Sequence, residues 1–445
     1  MKLWQKSTDA RKEVTEFTAG HDRHLDLFLA QFDVLGSIAH CTMLDAIGLL
    51  GNQELRLLRK ELIAIYRQTV DGRFEIEPAV EDVHSQVELM LTRALGDTGK
   101  KIHSGRSRND QVLVDIKLFL RAELEAVVLQ MEGLFQLLQQ LSEKHRGQLM
   151  PGYTHLQLAM PSSFGLWFGA YAESLVDDLT TLHAAYQVVN KNPLGSGAGY
   201  GSSFPLNRRL TTELLGFDDL NYNVVYAQMG RGKTERVVAM ALSNLAATLG
   251  KLAMDCTLYL NPHFGFISFP DELTTGSSIM PHKKNPDVWE LIRARCNRFM
   301  ALPNDIQLTL ANLPSGYHRD FQLLKEMLFP ALQDIKASLA MTHLMLENIQ
   351  VKENILAGDA FTYLFSVEEV NRQVLAGVPF RDAYRRVGLD IEAGNFLPDR
   401  HLHHTHEGSI GNLMNEDVAR QFNIVRQRFP FERVREALHQ LVASE

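Results

Sequence analysis

The sequence predicts an all-α fold: a central bundle of long helices flanked by two smaller helical domains. Three observations carry that reading. Residues 106–146 contain no proline and a single glycine, Gly133. Within them Leu120, Leu124, Val127, Met131, Leu134, Leu138 and Leu141 step by four and three, the spacing of an apolar helical seam. Strand signals, short apolar alternations bounded by turn residues, are scarce, which ranks α/β folds low.

Taken in order, the first 105 residues carry shorter helical patterns, broken at Gly51, Gly72, Pro78 and the stretch from Gly96 to Gly99. The helix that follows would be about 60 Å long at ~1.5 Å per residue. A second seam runs through Leu175, Leu179, Leu182, Tyr186 and Val189, and a third through Val238, Leu242, Leu245, Leu249, Leu252, Cys256 and Tyr259. A less regular fourth passes through Leu324, Leu328, Ala331 and Ile335. A fifth helix is expected after Pro286, with Asp287 in its first turn, where an acid suits the helix dipole. Residues 192–205 read as a glycine-rich loop and 261–286 as a second irregular stretch; beyond about residue 358 the helices shorten. These breaks divide the chain into 1–105, 106–357 and 358–445. One chain does not readily cover a ~60 Å seam on all sides, so the seams predict a bundle completed by further copies, a homo-oligomer. A monomeric solenoid would need an internal repeat, and none is evident.

Composition narrows the function classes. At about 150 residues per domain, 445 residues suggest roughly three. With 45% apolar and 22% charged residues the chain reads as folded rather than disordered. Its 53 acids against 45 bases, net charge −8, argue against nucleic acid as a partner. No run approaches the ~18 apolar residues of a membrane span. The charged start has no apolar core, so no secretory signal is expected. Cys41, Cys256 and Cys296 lack metal-ligand spacing and read as buried thiols in a reducing cytoplasm.

Four polar segments interrupt the seams. In His103–Gln111, Arg106, Ser107, Arg108 and Asn109 open the longest helix, where free N–H groups favour an anion; a helix cap with solvated arginines reads the same way. In Pro151–Gln157, His155 sits in a polar turn expected to open a helix, as acid, base, substrate hydrogen-bonder or plain structural residue. In Gly276–Pro286 a mobile loop places the Ser277 hydroxyl, the Lys283 cation and the Asn285 amide near one point. Such a set can stabilise a carboxylate gathering negative charge; the alternative is a flexible surface loop. In Leu313–Lys325, Tyr317, Gln322 and Lys325 fall along one side of a helix start, as they would on an ordinary solvated one. The histidines between His401 and His406 suit a metal or, the preferred reading, a solvated loop.

The third segment, GSSIMPHKKNP, is similar to the signature loop of the fumarase/aspartase superfamily, GSSxMPxKxNP. HSGRSRNDQV, MPGYTHLQLAMP, NPLGSGAGYG, YHRDFQLLKE, LWQKSTD and FDVLGS then resemble, in order along nearly the whole chain, segments of the argininosuccinate lyase family. The resemblance implies a homotetramer with a central helix bundle, four active sites each built from three subunits, and no cofactor or metal. It implies reversible cleavage of argininosuccinate to arginine and fumarate. Ser277 matches the base that removes the succinyl Cβ proton. Lys283 and Asn285 match the groups holding the carboxylate beside that carbon, His155 the histidine of proton transfer, and Glu290 its carboxylate partner. Ser107, Asn109 and Thr154, with Arg108 beside them, match substrate-carboxylate binders. Tyr317, Gln322 and Lys325 match residues that hold the arginine end and the neighbouring carboxylate.

Three stretches depart from the family pattern. His282 stands where glutamine is usual, as in carboxymuconate cycloisomerases. Met229–Thr234 stands where the family reads S-x-R-D-F. Thr18–Asp22 offers no equivalent of an N-terminal substrate-binding serine. The enzyme rival, adenylosuccinate lyase, lacks the HSGRSRNDQ and YHRDFQ contexts. A rival of another class is a non-catalytic relative such as the δ-crystallin lens proteins, which His155, Ser277 and Lys283 together disfavour.

Overall fold

The structure, a computed structural model, describes residues 11–443. The LWQKSTD stretch and most of the charged start lie outside them. Helices α1 (Ala30–Ala46), α2 (Asn52–Val70) and α3 (Val83–Leu95) precede the long helix α4, Arg108–Lys144. At 37 residues α4 spans about 56 Å. It starts where it does because Ser107 and Asp110 form a capping box: the Ser107 hydroxyl accepts from Asn109 N at 3.2 Å, and Asp110 accepts from Ser107 N at 2.8 Å.

Four more long helices follow: α5 (Phe164–Val189), α6 (Lys233–Leu260), α7 (Asp287–Thr309) and α8 (Leu323–Glu347). The Ser163 hydroxyl caps α5 through Leu166 N at 3.1 Å. Asp287 and Glu290 occupy the first turn of α7 after Pro286, as the sequence led us to expect. α4 packs on α5 and α8, α6 packs on α5, α7 and α8, and α7 packs on α8.

This packing corrects one expectation. The seams through Leu120–Leu141, Leu175–Val189 and Val238–Cys256 are buried within the single chain, at 0–6% exposure. The five helices and α1 cover one another, so the long seam of α4 is not itself an open surface waiting for another subunit. Each leucine buried this way contributes about 1.5–3 kcal/mol relative to an exposed one. The main core runs continuously from Leu29 to Leu441. A second, small core of Val370, Ala383, Val387 and Phe396 lies between α9 (Ser366–Leu375) and α10 (Phe380–Glu392).

Strands β1 (Leu149–Thr154) and β2 (Gln157–Ser163) form an antiparallel hairpin in which Thr154 pairs with Gln157. His155 therefore does not open a helix. It sits with Leu156 in the two-residue turn, φ +54° and +58°, the left-handed geometry that matches strand twist. The usual Asn-Gly or Asp-Gly signal is missing, which is why the sequence hid the turn.

Candidate active site

The predicted site residues fall into three separate groups. Arg108, Asn109, Tyr317, Gln322 and Lys325 line one cleft of about 230 Å³, together with Asp22, Asp26, His84 and Arg231. The start of α4 supplies one wall and the segment entering α8 the other. Ser107 sits at the mouth of α4 as its cap, so its oxygen is engaged with backbone while its own proton stays available. Lys325 is buried, 2.5 Å from Asp22 and 2.6 Å from Asp26. Burial alone would depress its pKa; the two carboxylates outweigh burial and hold it above the usual lysine value. Gln322 donates to the carbonyls of Thr18 at 3.0 Å and Ala19 at 3.2 Å. Arg108 lies 3.2 Å from Asp82 and donates to Ser85 at 2.8 Å.

The second group, Thr154 and His155, stands exposed at the hairpin tip. The third is the Gly276–Pro286 loop. Its ends are tied by the pairs Thr275–Asn285 and Gly276–Lys284, and by an ion pair from Lys284 to Asp271. Ser277 is half-buried and its oxygen accepts from Met280 N at 3.1 Å. An N–H aimed at a hydroxyl oxygen favours its deprotonated form. Asn285 turns its amide onto the loop's own Gly276 carbonyl at 3.3 Å. Lys283 and Glu290 are exposed. Among the described residues, no hydrogen bond or ion pair joins any two of the three groups. Within one chain His155 therefore reaches neither Ser277 nor Glu290.

Several polar residues escaped the sequence reading. Asp110 is fully buried and accepts from Ser107 N, Gly195 N at 2.9 Å and Gly197 N at 3.0 Å. It fastens the glycine-rich loop to the start of α4. Gly195 must be glycine, since φ is +84° and a Cβ would meet the Arg208 side chain at 2.8 Å. Burial pushes the Asp110 carboxyl up to about 6, against the pull of its N–H donors. The Ser-x-x-Asp spacing was the available signal for its capping role. Asp110→Ala strands three backbone N–H groups and is expected to cost about 2–4 kcal/mol in urea unfolding. A loss below about 0.5 kcal/mol would show that the tether contributes little.

In the cleft wall, buried His84 lies 2.7 Å from Asp33 and 3.5 Å from Asp115. Burial lowers the imidazole pKa, but the carboxylates outweigh it and hold it at about 9. These three residues are, among the described ones, the group whose ligand atoms could hold a metal ion, all within 4.8 Å of one another. Asp33 already engages the ring nitrogen, which makes an ion-pair cluster the simpler account. The His401–His406 loop gathers no such set; His404 instead lies 3.0 Å from Glu368 and His401 2.9 Å from Asp399.

A long-helix bundle with polar segments at the starts of α4 and α8, a third at a hairpin tip and the GSSIMPHKKNP loop ahead of α7 defines a lyase of the fumarase/aspartase superfamily. The lyase family model matches residues 5–301. Solved structures agree on the fold. EDDS lyase in complex with formate superposes with a TM-score of 0.74 at 22% identity, over 98% of this chain and 97% of that one. Class II fumarase from Schistosoma mansoni gives 0.68 at 15% identity, over 86% and 91%. Argininosuccinate lyase of Parabacteroides distasonis is 60% identical over 441 residues, 99% of each chain. That of Thermotoga neapolitana is 37% identical over 387 residues, 87% of this chain and 97% of the relative. The chain belongs to the argininosuccinate lyase family.

Proposed function

We propose that the chain catalyses the reversible elimination of fumarate from argininosuccinate, leaving arginine, the last step of arginine biosynthesis. The observation that carries this reading is 60% identity to a named argininosuccinate lyase from end to end. The Cβ–H beside a carboxylate is a very weak acid, and its removal gives a dianionic aci-carboxylate. Ser277 takes the proton, its oxygen favoured as an anion by the N–H of Met280. Lys283 and Asn285 then stabilise the growing charge, worth several kcal/mol in the transition state. His155, oriented by Glu290, protonates the departing guanidine. Ser107, Arg108, Asn109 and Thr154 bind substrate carboxylates. Tyr317, Gln322 and Lys325 hold the arginine end and the neighbouring carboxylate, and no metal or cofactor takes part.

The working unit is a homotetramer. Its support is the separation of the three groups within one chain, together with exposed apolar side chains on adjacent helices. Met240 and Met254 on α6 and Leu291, Met300 and Leu308 on α7 are 41–65% exposed, a stripe that further copies would cover. α6 is apolar enough to cross a membrane, but 56% of its most apolar window is buried in the bundle, which suits a core helix. Three buried free thiols suit the cytoplasm. The test is fumarate absorbance on adding argininosuccinate. Turnover supports the reading; no turnover by folded, assembled protein refutes it and favours a non-catalytic relative.

A further inference from the structure

Two arginines of the cleft, Arg231 and Arg319, have no part in the roles above, and Arg231 is the buried one. Arg231 is 5% exposed and its buried neighbour Glu235 2%. They form an ion pair at 2.7 Å, Arg231 just before α6 and Glu235 in its first turn. Glu235 also accepts from Gly232 N at 2.7 Å, and Arg231 donates to the carbonyl of Phe321 at 3.1 Å. The guanidinium carbon lies 6.0 Å from the centre of the Phe321 ring. Local sequence sets this geometry. Gly232 has φ +78°, and a Cβ there would meet Leu310 at 2.6 Å. A glycine at 232 thus lets the chain turn into α6 with Arg231 under the cleft.

Phe321 sits in the 3₁₀ turn Arg319–Gln322 that leads into α8. Around it come Tyr317, Gln322 and Lys325, the residues assigned to the arginine end. Gln322 and Lys325 are tethered to residues 18–26 of the N-terminal segment. Arg231, just ahead of α6, adds a further tether, to the Phe321 carbonyl between Tyr317 and Gln322. Without it the turn would keep its ties to residues 18–26 but lose the one at its centre, and a shift of about 1 Å in a substrate-holding group is costly.

We propose that the buried Arg231–Glu235 pair is a positioning device that sets the arginine-holding segment 317–325 for substrate. Arg231 is a positioning residue, acting through Phe321 rather than by touching the reacting atoms. This inference rests on the proposed function, so wild-type turnover is measured first; its absence sinks that reading, not the geometry of the pair.

The test uses the full chain with both charges removed, Arg231→Met/Glu235→Gln, because either single change risks leaving a buried charge unpaired. Glutamine keeps an acceptor for Gly232 N. The expected result is a KM for argininosuccinate raised about tenfold with kcat changed less than about threefold. The inhibition constant of arginine should rise in parallel, while that of fumarate stays within about twofold. Arg231→Lys, which keeps a cation opposite Glu235 but not the fork that reaches Phe321, should fall between; it also carries the test if the double variant does not fold. Unchanged KM and arginine inhibition in a folded variant would overturn the proposal. So would an equal weakening of arginine and fumarate binding, the mark of a merely structural role.

Discussion

Ser277→Ala is expected to fold, assemble and bind substrate, yet lose nearly all turnover. In the family's chemistry one hydroxyl must take a proton from a carbon that scarcely ionises, and alanine has nothing to take it with. The local structure explains why no neighbour would substitute. Ser277 is the half-buried serine whose oxygen receives backbone N–H groups, from Met280 at 3.1 Å and Ile279 at 3.4 Å. Ser278, beside it, is exposed and accepts no hydrogen bond among the described residues. A loss of about three orders of magnitude in kcat corresponds to about 4 kcal/mol of barrier. Folding should survive, because the loop is closed by the Thr275–Asn285 and Gly276–Lys284 pairs and by Lys284–Asp271, none of which needs the Ser277 side chain. A drop of less than about tenfold, roughly 1.4 kcal/mol, would take Ser277 out of the role of base.

How much of this was legible beforehand depended on how local each signal was. The helix seams repeat every three or four residues, so Leu120 through Leu141 announced α4 from composition and spacing alone. Pro286 and Asp287 likewise marked the start of α7. What covers a seam is a long-range matter. Periodicity could show that α4 has an apolar face, but not that α5, α8 and α1 fill it within the same chain. The hairpin around His155 was missed because its turn residues, His and Leu, carry no left-handed preference. The ion-pair cluster had no local signature at all: His84 and Asp33 are 51 residues apart in sequence and meet only once α1, α3 and α4 pack. Asp110 was the exception, since its capping spacing was visible, but its grip on Gly195 and Gly197 across 85 and 87 residues was not. Arg231 drew notice only through its stretch: it keeps the arginine of the family pattern, and the departure beside it is the missing acid, where Gly232 stands. Its pairing with Glu235, four residues on, and its reach to Phe321 were not legible from that pattern.

Mixing two inactive proteins, His155→Ala and Ser277→Ala, should restore activity once their subunits exchange. His155 stands at the tip of the β1–β2 hairpin and Ser277 in the loop before α7; within a chain no hydrogen bond or ion pair among the described residues links either to the cleft of Arg108 and Lys325. A catalytic base and a proton donor that serve one substrate must lie within a few ångströms of it. If a site takes its histidine from one subunit and its serine from another, some mixed assemblies contain sites with both intact. For random exchange in a symmetric assembly, about a quarter of the sites draw His155 from a Ser277→Ala chain and Ser277 from a His155→Ala chain. Activity near a quarter of wild type is then the expected plateau, with each variant alone, exchanged against itself, remaining inactive. Exchange is followed separately by mass spectrometry of isotope-labelled subunits. If mixed tetramers form and fumarate production stays at the level of the single variants, both residues of a site come from one chain. The three groups would then have to meet by rearrangement within that chain rather than by assembly.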